Sequence, residues 1–342
     1  MSPAPSRVDP RLDELRLWVS TSLRVFGVTA DAAFERASED ASFRRYFRVR
    51  AGGATWIAMD APPEREDCTP FVHVAGLMRE AGVHVPEVLA QDLKRGYLLL
   101  TDLGTTTYLK AIDDKNADAL FSDAIDALIQ WQLASRPGVL PPYDHALLMR
   151  ELELFPEWYL GRHLGEPPEP RQRELLDRVF SRLVDAALAQ PCVYVHRDYM
   201  PRNLMLSTPN PGVLDFQDAV YGPIAYDVVS LFRDAFVSWP EARALDWTVR
   251  YWERARGAGL PVSADFGAFY RDFEWMGLQR HLKVLGIFAR IHYRDGKPGY
   301  LDDTPRFLGY ARQVAERYAE LRELTTLLDA IEARVPATAY TF

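Results

Sequence analysis

Strand-type periodicity runs up to Thr101 and then all but stops, and this segregation limits the folds open to the chain more than any other feature. Before that point Phe43, Arg45, Phe47 and Val49 alternate with Arg44, Tyr46, Arg48 and Arg50. Gly52-Gly53 then supplies a turn, and 55–59 returns as a second, antiparallel strand. Residues 85–90 and 97–101 read as another strand pair around Lys94-Arg95-Gly96. Leu12, Leu15, Val19, Leu23 and Phe26 predict a helix ending at Gly27, and a second helix covers about 70–81 before Gly82. Downstream, amphipathic helices are expected over 115–134, 144–160, 171–190, 227–236, 240–258, 266–290 and 305–331. The expected fold is α+β: a small β-rich N-terminal lobe over 1–101, a hinge over 102–108, and a large, mostly helical C-terminal lobe over 109–342.

One island of strand character interrupts the helical part. Cys192-Val193-Tyr194-Val195 is a short apolar, β-branched and aromatic run. It leads into His196-Arg197-Asp198-Tyr199-Met200-Pro201-Arg202-Asn203, and a hairpin around Pro209-Asn210-Pro211-Gly212 then carries the chain to Asp215-Phe216. The spacing H-R-D-x-x-x-x-N, followed by a second aspartate, is that of a kinase catalytic loop and its metal aspartate. Phosphoryl transfer needs a base for the attacking hydroxyl and oxygen donors for Mg²⁺ on the nucleotide phosphates. Asp198 is therefore the candidate base, and Asn203 and Asp215 are the candidate metal ligands. His196 reads as a residue that holds the loop, and Asp227 as a helix N-cap. With two lobes, ATP is expected between them, and Thr101 and Leu103 are candidates for contacting its base.

Composition excludes several other classes. The net charge of −8 and the lack of a basic block argue against nucleic-acid binding. No apolar run reaches the length of a membrane span, and no secretory leader is visible, so a cytoplasmic location is expected. Cys68 and Cys192 suggest neither a disulfide framework nor a zinc site and are expected to be buried. No obligate protein partner is evident.

The motifs resemble a known superfamily. Val195–Asp198 through Asn203, then Leu214-Asp215-Phe216-Gln217-Asp218, Gly222-Pro223 and 226–229 look like the aminoglycoside phosphotransferase and choline kinase superfamily. Segments 40–48, 59–63, 66–68, 99–104, 153–159, 279–283 and 294–297 are most similar to the N-acetylmuramate/N-acetylglucosamine anomeric kinases of bacterial cell-wall recycling. The resemblance implies a protein-kinase-like two-lobed fold, ATP and Mg²⁺ as cofactors, and a small amino sugar phosphorylated on its anomeric hydroxyl.

The chain departs from the protein-kinase template in its phosphate grip. No lysine precedes Lys94; Asp60 stands where the third-strand lysine would be, and 38–42 at the first strand turn is not glycine-rich. Ser42 with either Arg44 or Arg45 is the expected substitute, the strand pleat deciding between the two arginines. For the sugar, Asp218, Glu153, Glu157 and Trp158 are candidates as polar or stacking groups, and Arg280 and His281 because they interrupt an apolar helix. Arg280 would suit a sugar carboxylate. Two other readings stay open: an aminoglycoside or amino-alcohol phosphotransferase, and a catalytically silent kinase-like binding protein.

Overall fold

The structure, a computed structural model, describes residues 9–38 and 43–333. The chain forms two compact units. Residues up to Thr106 together with Met205–Asp218 make the first, and Thr107–Leu204 with the residues from Ala219 onward make the second.

The first unit is built on a five-stranded antiparallel sheet. Its strands are β1 (Ala33–Ser38), β2 (Arg45–Ala51), β3 (Ala54–Asp60), β4 (Val88–Asp92) and β5 (Tyr97–Thr101), in the order β1-β2-β3-β5-β4. Helix α1 (Pro10–Val25), capped by the Asp9 carboxylate accepting from Leu12 N–H, lays Leu15, Val19 and Leu23 on the sheet. There they meet Phe47, Val49, Ala51, Ala58, Tyr97 and Leu99, side chains of one pleat face. Met59, Leu98 and Leu100 alternate with these and are buried as well. Helix α2 (Thr69–Glu80) turns Phe71 onto Phe216, ring centres 4.8 Å apart. That contact, and the bond from Val213 N–H to His84 O, tie the segment 205–218 to the sheet. The sequence division had put this segment in the helical lobe. At the β4–β5 turn, Gly96 has φ +74°, and a Cβ there would lie 1.8 Å from Ala61 O, so only glycine fits.

The second unit is mostly helical: α3 (Tyr108–Ala111), α4 (Ala117–Leu133), α5 (His145–Leu152), α6 (Pro170–Ala189), α7 (Tyr226–Phe232), α8 (Glu241–Gly257), α9 (Phe266–Asp295), α10 (Thr304–Arg317) and α11 (Glu323–Glu332). The antiparallel pair β6 (Cys192–Val195) and β7 (Val220–Pro223) frames the loop that follows Val195. The helix expected over 144–160 is broken. After α5 the chain winds as a π-helix, Phe155–His163, beginning where Pro156 lacks the N–H an α-helix would use and ending with Leu164 N–H on Tyr159 O. The helix expected over 305–331 is likewise divided, with a short 3₁₀ turn at Ala319–Leu321 between α10 and α11. Cys192 is exposed rather than buried, because β6 starts at the surface; Cys68 is buried as expected.

Candidate active site

The loop 196–203 is held from behind by buried carboxylates. Asp227 is fully buried on α7; its Oδ2 accepts from His196 N–H (2.6 Å) and its Oδ1 from Arg197 N–H (3.0 Å). It lies inside the first turn of α7 and caps this loop instead of its own helix. Burial pushes its pKa up to about 7 against those two bonds. His196 Nδ1 accepts from Asp198 N–H at 3.2 Å, the structural role expected of it. Arg197 has φ +76°, rare for a residue with a side chain and costly unless its surroundings impose it. Here the backbone is fixed by Asp227, and the guanidinium donates to Glu151 Oε1 on α5. Asp198, partly exposed, follows directly, and Asn203 Nδ2 donates to Asp198 O at 2.9 Å. That bond fixes the amide so that its nitrogen faces the loop and its oxygen, the atom Mg²⁺ favours, is its other end.

Glu151 organises a cluster that the motif reading did not find. It is buried and accepts from Tyr143 Oη, Arg197, Lys283 Nζ (2.8 Å) and Gln279 Nε2 (3.4 Å). Burial alone would raise its pKa, but Lys283 and Arg197 reverse this and lower it to about 2. Lys283, buried on α9, also donates to Tyr226 Oη at 2.8 Å. Burial works against its charge; Glu151, Tyr226 and, more weakly, Asp198 outweigh that and raise its pKa. The available signal was a lysine inside the apolar run 266–290, next to Arg280 and His281.

In the first unit, Asp215 is exposed with φ +64° and accepts from Gln217 Nε2 at 2.8 Å. Arg44 is largely buried and paired with Glu66 at 3.0 Å. Burial opposes its charge, yet Tyr46, Glu66, Asp218 and Asp215 together raise its pKa. Arg45 points to the other pleat face. It faces Asp60 across the β2–β3 ladder, and Asp60, with no exposed surface, accepts from Arg45 and from Arg11 Nε (2.7 Å). With a further bond to Asp9, the Arg45 guanidinium is committed within the unit. Ser42 lies outside the described residues. Thr101 Oγ1 accepts from Glu87 N–H, and Thr101 and Leu103 line a cavity of about 550 Å³ with Val85, Asp102 and Ser207.

The sugar candidates scatter. Glu153 is paired with Arg173 of α6, so its carboxylate serves helix packing. Glu157 and Trp158 sit on the π-helix and line a separate cavity of about 390 Å³ with Arg162, Tyr293 and Arg294. Asp218 is exposed beside Arg44. His281 is a core residue: it is fully buried, its ring centre is 4.9 Å from that of Tyr310, and burial drives its pKa well down, so it stays neutral. Arg280 is buried without a hydrogen bond to the described residues from Nε or Nη1. Asn203 and Asp215 each carry an oxygen of the hard type that Mg²⁺ takes alongside phosphates.

Residues 33–262 match the family described as the phosphotransferase enzyme family. A relative from Pseudomonas putida, an N-acetylmuramate/N-acetylglucosamine kinase, is 55% identical over 95% of this chain and 98% of its own. One of the same description from Neisseria meningitidis is 50% identical over 92% of this chain and 94% of its own. Among solved structures, the choline kinase LicA from Streptococcus pneumoniae superposes with a TM-score of 0.59 at 11% identity, over 88% of this chain and 99% of that one, a likeness of fold. A catalytic loop braced by Asp227, a β-rich unit carrying the second aspartate, and near-full-length identity to these kinases place the chain in the phosphotransferase enzyme family as an ATP-dependent kinase with a protein-kinase-like fold.

Proposed function

We propose that this kinase phosphorylates the anomeric hydroxyl of N-acetylmuramate and N-acetylglucosamine, giving the sugar 1-phosphate in cell-wall recycling. Identity of 50% or more to kinases of that description over nearly the whole chain carries the reading. Asp198 takes the proton as the anomeric oxygen bonds to the γ-phosphorus of ATP and the bond to the β-phosphate oxygen breaks, releasing ADP. Asn203 and Asp215 are the ligands for Mg²⁺, which when bound offsets charge on the phosphates. Arg44 is the cation for the phosphates in place of the lysine of the template, and Thr101 and Leu103 are the base-contacting residues. Residues 102–108 act as the hinge, and the ATP requirement suits a cytoplasmic location.

Phosphorylation should be measured with ATP and Mg²⁺ over a panel of N-acetylmuramate, N-acetylglucosamine, an aminoglycoside and choline. The expected result is turnover of the two N-acetylated sugars with loss of their reducing end, since a 1-phosphate locks the anomeric carbon. A phosphorylated product that still reduces, or turnover confined to the aminoglycoside or choline, would overturn the reading.

A further inference from the structure

We propose that Arg48 is a positioning residue for the nucleotide: it clamps the loop 102–104 on both sides of Leu103 and so sets the affinity for the purine base, an inference that rests on the reading of Leu103 as a base-contacting residue. This loop is where the chain leaves the sheet at the end of β5. Gly104 has φ +103°, backbone space that glycine enters freely and leaves as freely. A loop of that kind must be fixed from outside itself, or the ordering it undergoes on binding weakens the grip on every ligand.

Arg48 supplies that restraint from the sheet. It lies in the middle of β2, opposite Ile57 of β3, and because Phe47 and Val49 on either side of it face α1, its own side chain leaves from the other pleat face. Nε donates to Asp102 Oδ2 at 2.6 Å, and Nη2 donates to Asp102 Oδ1 at 3.0 Å and to Gly104 O at 2.6 Å. Asp102 Oδ1 also accepts from Gly104 N–H at 3.0 Å. Both carboxylate oxygens of Asp102 and both backbone polar groups of Gly104 are therefore engaged, and the N–H and C=O of Leu103 take part in none of these bonds. The pair is shielded, with the side chain of Arg48 13% exposed and that of Asp102 5%. Arg50, on the same pleat face, makes the contrast: it meets Glu35 at 3.3 Å between exposed side chains, a surface pair of the kind that contributes little. Burial alone would raise the pKa of Asp102, but the bonds from Arg48 and from Gly104 N–H lower it, so the clamp stays charged at neutral pH.

The clamp borders an open site. Thr101, Asp102, Leu103 and Gly104 line the cavity of about 550 Å³, within the size range of small-molecule sites, whereas Arg48 is not among its lining residues. Arg48 therefore acts on the cavity through the two residues that flank Leu103. A planar guanidinium serves both carboxylate oxygens and a carbonyl at once, which the single nitrogen of a lysine does not match.

The test uses the full-length protein, with ADP affinity read by titration calorimetry and KM for ATP and for N-acetylglucosamine read from turnover. Arg48→Met should weaken ADP binding and raise the ATP KM about tenfold, with kcat and the sugar KM within about twofold of wild type, and Arg48→Lys should fall between. Asp102→Ala should give a similar loss, and the double variant no more than either single one, since the two side chains act as one unit. Unchanged ADP affinity, equal losses toward ATP and the sugar, or losses that multiply in the double variant would make Arg48 a residue of the fold only and overturn the proposal. Should the variants not fold, hydrogen exchange of the wild type decides: without nucleotide the Gly104 amide should be protected at least about tenfold more than that of Leu103, and ADP should then protect Leu103. Equal protection of the two amides in the nucleotide-free protein would mean that the clamp does not form, and overturns the inference. If ADP leaves Leu103 unprotected, the base-contact reading fails and takes this one with it; protection of Leu103 by ADP with unchanged ADP affinity in Arg48→Met removes this one only.

Discussion

Replacing Glu151 should do more than delete a side chain, because it is the anion shared by two buried cations. In the wild type one carboxylate faces Arg197 and Lys283, and Tyr143 and Gln279 complete its bonds. Its pKa stands at about 2 against 4.5 for an ordinary glutamate, a difference worth about 3 kcal/mol when the group is buried. Glu151→Gln leaves both cations without an anion and should cost about 3–5 kcal/mol. Lys283→Met leaves Glu151 and Arg197 as a one-to-one pair and should cost only about 1–2 kcal/mol. Combining them gives the discriminating result. In the Glu151→Gln background, Lys283→Met removes one of two uncompensated charges and should stabilise by about 1 kcal/mol, a coupling of about 2–3 kcal/mol. Urea unfolding of the four proteins at neutral pH reads these values. The pH arm has a definite sign: a folded pKa below the unfolded one gives stability that is present above 4.5 and is lost as pH falls towards 2. The gap between wild type and Glu151→Gln should narrow across that window. If Lys283→Met cost the same in both backgrounds to within about 0.5 kcal/mol, charge compensation would not be what Glu151 provides.

Asp198→Asn should lower kcat by about 10²–10⁴-fold while nucleotide affinity, read by titration calorimetry, largely survives. Asp215→Asn should instead weaken nucleotide binding in the presence of Mg²⁺ and leave the weaker metal-free binding little changed. Gly286→Ala should destabilise by about 1–3 kcal/mol in thermal or urea unfolding, because a Cβ there would lie 2.3 Å from the backbone carbon of Leu154, where α9 packs against the entry to the π-helix. Asp60→Lys, which writes the template lysine into the third strand, places a third cation beside Arg11 and Arg45 at a fully buried position. It should lose more than about 4 kcal/mol and give little folded protein, measured as soluble yield and circular dichroism.

The parts of this fold that were legible obey local rules. Strand β5 occupies the residues expected, 97–101, because a Gly96 turn and a run of large apolar residues leave little choice of state. Strand β1 was not visible: Ala33–Ser38 holds one large apolar residue, Phe34, and as the edge of the sheet it needs only one neighbour, β2. The π-helix escaped because hydrophobic periodicity cannot separate one bond pattern from another until Pro156 is known to lie within the helix. The placement of 205–218 depends on Phe71 meeting Phe216, a pairing that the spacing of neither residue announces.

The same contrast explains which site residues could be read. Asp198, Asn203 and Asp215 lie within one stretch of chain, so their spacing could be matched to a motif. Glu151 and Lys283 come from different helices, α5 and α9, and neither spacing nor residue type tells a buried charge from an exposed one. For the arginines the pleat supplies the missing step. Adjacent residues entering β2 face opposite sides, and Asp60, opposite Arg45 in the ladder, claims Arg45. Arg44 is then left in the field of Glu66, Asp215 and Asp218. One guanidinium against three carboxylates is a net charge that repels a bare polyphosphate and attracts a divalent cation. Under the metal role proposed for Asp215, the missing lysine and this aspartate are one feature: with a buried aspartate where the lysine should be, the unit is expected to depend more on Mg²⁺ to accept the nucleotide than the protein-kinase template does.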